Sequence, residues 1–216
     1  MYMYAIAALV NDGFAVITVS APYEAMFTVL PTGEFLHQSE QMREVENNYP
    51  ALGKLIDLRI EDLKWLLNAM VKLNAESGML QGVLDLERIA LIGHSLGGTT
   101  AAVLLDPSMD LFRAGETEWK HTPSVLVLQR DAVHFARFKE LFGEEVVSKY
   151  IETEEILVRR LQGKASLIEV KEASHMSFSD LPLFEADQPL SEQTGRIHER
   201  INGMLLDVLE QNLKGR

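Results

Sequence analysis

The chain has 216 residues, of which 47% are hydrophobic and 24% charged. That is the mix of an ordinary globular domain, not of a disordered, collagenous or coiled-coil chain. Lys and Arg number 20 against 32 Asp and Glu, a net charge of −12, which repels phosphate backbones and argues against nucleic acid as a partner. There is no cysteine, so disulfide frameworks, cysteine-based zinc sites and thiol nucleophiles are excluded.

In chain order, Met1–Val10 is apolar but has no basic flank and no cleavage site. It therefore predicts a short helix over 2–10, ended by the Asn11, Asp12, Gly13 turn. Phe14–Val19 is a β-rich run and predicts a strand. Residues 21–50 show no sustained period and carry Pro22, Pro31, Gly33 and Pro50, which predicts a long irregular segment. Over 55–73, Ile56, Ile60, Leu63, Leu67, Met70 and Val71 recur at helical spacing. Ile89–Ile92 reads as a strand buried on both faces of a parallel sheet, and Val125–Leu128 and Leu167–Val170 read the same way. Residues 132–162 read as a helical insertion with Phe135, Phe138, Leu141 and Phe142 on one stripe. Ile197–Leu213 closes the chain as an amphipathic helix. Strands alternating with helices predict a single α/β domain over 1–216, its mostly parallel sheet flanked by helices.

The chemistry concentrates in Gly93, His94, Ser95, Leu96, Gly97 and Gly98, which follow the Ile89–Ile92 run directly. This is G-x-S-x-G in the setting it requires, strand then tight turn then helix. Side chains at 93 and 97 are expected to collide with neighbouring backbone, so glycine leaves the Ser95 hydroxyl free at the carboxyl end of the sheet. The Leu96 N–H, at a helix start, would face a developing oxyanion.

A serine nucleophile needs a base, and the chain has six histidines. His175 follows the 167–170 strand by a short loop and so falls at the same sheet end as Ser95, last in the order serine, acid, histidine. His94 reads as packing. His121, His134 and His198 read as surface residues, and His37 could line a pocket. No His-Glu-x-x-His, P-loop or dinucleotide fingerprint is present, so no metal or cofactor is expected.

Four segments resemble the platelet-activating-factor acetylhydrolase family of α/β-hydrolases. They are Leu9–Ile17, the nucleophile segment Leu86–Gly98, Ala102–Asp106 with Met109, and the histidine segment Ser174–Leu181. The second and fourth are the specific ones. The resemblance implies an α/β-hydrolase fold and a serine esterase that cleaves short or oxidised acyl groups from phospholipids, without metal, using Ser95, Asp106 and His175. Against that pattern the chain reads as N-terminally truncated, or as using a different backbone N–H, or as having an incomplete oxyanion hole. The family's earlier strand and His-Gly loop, which gives a second oxyanion donor, have no counterpart here, and losing one such donor costs about 100- to 1000-fold in rate. The chain as given reads as cytoplasmic, though a missing N-terminus would also hide an export signal.

The acid stays open at this level. Resemblance points to Asp106. A crossover between parallel strands normally takes about a dozen residues or more, however, and only 96–101 would separate the turn from a strand at 102–105. If 96–105 is one helix, Asp106 lies about 16 Å along it and Asp131, after Val125–Leu128, becomes the acid. Asp110 and Asp180 are lesser candidates. The expected partner is a small-molecule or lipid ester. The Phe135 stripe reads first as core, with weak membrane-surface contact as the alternative, opposed by Glu140, Glu144 and Glu145. Two further readings stand beside the phospholipid esterase. One is a general small-ester or polyester hydrolase, and the other is a catalytically impaired relative that serves as a binding module.

Overall fold

The computed structural model describes residues 2–25, 27–40, 42, 49–111, 123–185 and 188–214. His121 lies outside them. The chain is mixed α/β, with a four-stranded parallel sheet flanked by helices.

Helix α1 spans Met3–Asn11 and buries Ala5 and Leu9. It ends where Gly13 takes φ 87°, a left-handed conformation that costs glycine little. Residues 14–20 run on without regular structure. Half-buried Phe14 and Val16 alternate with exposed Ala15 and Ile17, so the side chains keep the predicted period of two. No strand pairs with this run among the described residues, and without a ladder the predicted strand does not form. The expected irregular stretch 21–50 contains a hairpin instead. Strand β1 (Phe27–Val29) pairs antiparallel with β2 (Phe35–His37), joined through Gly33 at φ 85°.

Helix α2 spans Tyr49–Ala75, longer than predicted. Its Arg59 pairs with Glu24, tying the helix to the segment before the hairpin. Then come the four sheet strands in spatial order: β3 (Ile92–His94), β4 (Val103–Leu105), β5 (Val125–Gln129) and, after helix α3 (Ala132–Leu161), β6 (Ala165–Glu169). All neighbours are parallel. Strand β3 is an edge strand and begins at Ile92, where the expected strand Ile89–Ile92 ends. Ile89, before it, and Ile92 are exposed at 40% and 37%. The expectation of burial on both faces fails there because β3 has one hydrogen-bonded neighbour. It holds for β5, which sits between two neighbours and is almost wholly buried, as is β4. It fails for β6, the other edge strand, where Ser166, Leu167 and Glu169 are exposed.

The pleat divides the core in two. Val103, Leu105, Leu126 and Leu128 face α1 and helix α5 (Gln188–Leu209), which follows a short helix α4 (Leu181–Glu185). Leu104, Val125 and Val127 face α3. Helix α5 buries Ile197, Ile201, Leu205 and Leu209 at a spacing of four, one stripe laid on the sheet. Helix α3 is the crossover between parallel strands β5 and β6. It breaks at Gly143, whose φ and ψ of 83° and 171° are not helical. Beyond the break Val147, Tyr150, Leu157 and Leu161 are buried. Before it the predicted aromatic stripe splits: Phe135 and Phe138 pack on Tyr150, whereas Leu141 and Phe142 are 70% and 58% exposed.

Ile201 is fully buried between α5 and the sheet. Ile201→Ala is expected to cost about 3 kcal/mol and to lower Tm by roughly 6–12 °C in a thermal melt. A change under about 1 °C would contradict this packing.

Candidate active site

Ser95 follows β3 directly at φ 56°, a left-handed conformation rare for a residue with a side chain. Its strain is held by close backbone packing. A Cβ at Gly93 would lie 2.1 Å from the Gly97 carbonyl oxygen, and one at Gly98 would lie 2.8 Å from Pro107 Cβ. Gly97 itself has open space, so the collision expected at 97 occurs at 98, where the turn packs on the residue after Asp106. Ser95–Thr100 forms a short 3-10 helix. Leu96 is its second residue, among the first amides of a helix, which have no carbonyl to bond within it.

That 3-10 helix settles where Asp106 goes. Residues 95–102, eight in all, connect β3 to β4. Asp106 therefore ends a strand adjacent to the one that presents Ser95, and the alternative of one helix over 96–105 does not occur. Asp106 is fully buried, at φ 40°. Its backbone N–H donates to the Leu128 carbonyl on β5 at 2.6 Å.

His175 closes the array. It opens a 3-10 turn over His175–Phe178, whose entry is fixed by Ser174 N–H donating to Ser177 Oγ at 3.0 Å. His175 Nδ1 lies 2.5 Å from Asp106 Oδ2, and its Nε2 lies 3.0 Å from Ser95 Oγ. A carboxylate only accepts, so the imidazole proton sits on Nδ1, and Nε2 is left to accept from the serine hydroxyl. The His175 side chain is 33% exposed.

Two residues outside the predicted set complete the geometry. Arg130, just past β5, donates from its backbone N–H and from Nε to Asp106 Oδ1, each at 3.0 Å. Its Nη2 lies 2.6 Å from Asp106 Oδ2. Burial alone would raise the Asp106 carboxyl. The hydrogen bond from His175 and the charge and hydrogen bonds of Arg130 outweigh it and hold the group below the usual carboxylate value. The sequence signal for Arg130 is slight, a basic residue at the end of a strand. His94 does more than pack. Its Nε2 lies 3.0 Å from the His175 carbonyl and donates to it, and Nδ1 accepts from Tyr2 Oη at 3.0 Å. Burial first, then the neighbouring His175 charge, push the His94 imidazole down to about 4.

The other candidates are engaged elsewhere. Asp131, the rival acid, caps α3: Oδ1 accepts from the His134 N–H at 3.0 Å and Oδ2 from the Glu172 N–H at 2.9 Å. Asp180 caps α1 by accepting from Met3 N–H at 2.7 Å. Asp110 is buried in the turn after β4, and burial raises its carboxyl. His198, expected at the surface, is buried and stacked on Tyr4 with ring centroids 3.7 Å apart, near the Ser177 and Ser179 carbonyls. It thereby braces the His175 turn from below. His37 is exposed on β2, against Phe35. Among the described residues no group of three or more His, Asp or Glu could hold a metal ion, and no helix is long and apolar enough to cross a membrane. Compared with protein-family models, with curated proteins and with solved structures, the chain matches none.

The depressed His94 imidazole predicts a pH-dependent stability. The unfolded chain takes up this proton near pH 6.5 and the folded one only near 4, so the folded state loses ground as pH falls through that window. His94→Gln can keep an amide N–H toward the His175 carbonyl and an oxygen toward Tyr2. The Tm of the wild type is expected to fall more steeply than that of His94→Gln between pH 6.5 and 4, and parallel curves would contradict it.

Proposed function

We propose that this chain is a serine carboxylester hydrolase of the α/β-hydrolase type, acting through an acyl-enzyme on short or oxidised acyl esters of phospholipids. The observation that carries the reading is the continuous contact from Ser95 Oγ to His175 Nε2 at 3.0 Å and from His175 Nδ1 to Asp106 Oδ2 at 2.5 Å. It is supported by the left-handed backbone at Ser95 and the glycine contacts that impose it.

In this reading His175 Nε2 takes the Ser95 proton as Oγ forms a bond to the ester carbonyl carbon. The carbonyl oxygen becomes the oxyanion, against the Leu96 N–H. His175 then gives the proton to the leaving alkoxide, the ester C–O bond breaks, and the alcohol departs. Water attacks the acyl-serine in the same way and returns the proton through His175, releasing the carboxylic acid. Asp106 stays ionised throughout, fixes the tautomer and stabilises the imidazolium. The chain's own residues supply every proton transfer.

For the substrate, the resemblance of the nucleophile and histidine segments favours the phospholipid acetylhydrolase class. Exposed Leu141 and Phe142 offer a small apolar spot near Glu140, Glu144 and Glu145, which favours a zwitterionic over an anionic surface. Soluble small esters on the same machinery are the second reading, because the His175 side chain is 33% exposed and can be reached from solvent.

A fluorophosphonate probe tests the chemistry. Folded wild-type protein is expected to gain one adduct at Ser95, and Ser95→Ala none. Hydrolysis of p-nitrophenyl acetate should fall about 1000-fold or more in Ser95→Ala and His175→Ala. Folded protein that neither labels nor hydrolyses would sink the proposal. Faster turnover of a short-chain phosphatidylcholine than of p-nitrophenyl acetate would favour the lipid reading.

A further inference from the structure

Arg130 stands out because it spends its whole side chain on one carboxylate. Three donors of this residue reach Asp106: the backbone N–H and Nε on Oδ1, and Nη2 on Oδ2. The guanidinium is itself only 10% exposed and lies over the Phe138 ring, 4.7 Å from its centroid. Its Nη2 comes within 3.4 Å of His175 Nδ1. A guanidinium stays charged at any pH at which a protein is folded. Oδ2 is therefore shared between a fixed cation and the imidazole.

Resting on the hydrolase reading above, we propose that Arg130 is a positioning residue of the Ser95, His175, Asp106 array: its fork turns the Asp106 carboxylate toward His175 and is the permanent counter-ion of that buried charge. The reason is an asymmetry in the cycle. When His175 is neutral, a fully buried Asp106 anion has no cationic partner in the imidazole, and an unpaired buried carboxylate would take up a proton. Arg130 removes that need. When His175 is protonated, the same guanidinium repels the imidazolium, which favours passing the proton on to the leaving alkoxide. The fork also fixes the carboxylate plane, which a point charge does not do.

Other charged groups face the pair. His94 contributes from β3, Asp110 from the turn after β4, and Tyr150 and Glu154 from α3. Of these Glu154 matters most for a titration, since burial and then the Asp106 charge push its carboxyl up to about 7. The test is therefore made in a Glu154→Gln background. His175 is titrated by the NMR shift of its imidazole, and Ser95 is followed by the rate of fluorophosphonate labelling. Loss of a nearby positive charge makes the His175–Asp106 pair hold its proton more tightly, whichever member carries it. Arg130→Gln is thus expected to raise the His175 midpoint by about one pH unit and to slow labelling about 100-fold. Arg130→Lys, which keeps the charge without the fork, should bring the midpoint back near the parent value while labelling stays slow. Equal midpoints in all three proteins would overturn the proposal, since a merely structural role changes the amount of folded protein and not the titration of what remains. A lysine variant that labels at the parent rate would overturn the fork. A parent protein that never labels, yet shows the midpoint shift, would remove the hydrolase reading and leave the role of Arg130 standing.

Discussion

The structure turns on one fully buried carboxylate. Asp106 sits at the end of β4 with no exposure to water, and its charge is tolerable only because His175 and Arg130 reach it from two different elements. A buried ion that lost either partner would cost several kcal/mol. The turn before β3's neighbour, the end of β5 and the loop after β6 are all drawn to this point. Ser95 reaches the carboxylate through the imidazole. His94, in turn, fixes the His175 carbonyl. The site and the parallel sheet edge are thus one piece of packing, and the left-handed backbone at both Ser95 and Asp106 is strain held in place by it.

The second constraint is the length of the connection from β3 to β4. An α-helical crossover would not fit into residues 95–102. A 3-10 helix does, because it rises about 2.0 Å per residue. Six residues then span about 12 Å, enough to run back past a strand of three residues, about 10 Å long. The tight packing needs Gly93 and Gly98, where the turn touches its own backbone and Pro107. A short strand and a short crossover go together here, and the result is that serine and acid stand on neighbouring strands.

Much of this was legible in the residues, and what was not has identifiable causes. Ser95 and His175 follow from local patterns, a glycine-flanked serine after an apolar run and a histidine just past another. The parallel strands at 125 and 167 follow from short apolar runs, of which the first is buried and the second lies at the sheet edge with Leu167 exposed. The residues alone leave the acid open between Asp106 and Asp131, because the usual crossover length argues against a strand at 102–105 and the 3-10 route is shorter than that length. Phe14–Val19 has the composition and alternation of a strand, but a strand also needs a neighbour, which composition cannot supply. Arg130 and His198 escaped for a common reason. Each acts through a contact made across the fold, Arg130 to a residue 24 positions back and His198 to Tyr4, and neither contact leaves a local periodicity to read.

The most direct test of the account is the protonation of the His175 ring, read by nitrogen-15 NMR on the histidine-labelled protein at a pH where the imidazole is neutral, with His175→Asn to assign the signals. The account predicts a proton on Nδ1, held in a strong hydrogen bond that gives a far-downfield resonance, and a bare Nε2. A proton on Nε2, or a ring that exchanges freely between the two tautomers, would mean that Asp106 does not govern this imidazole, and the array would lose its centre.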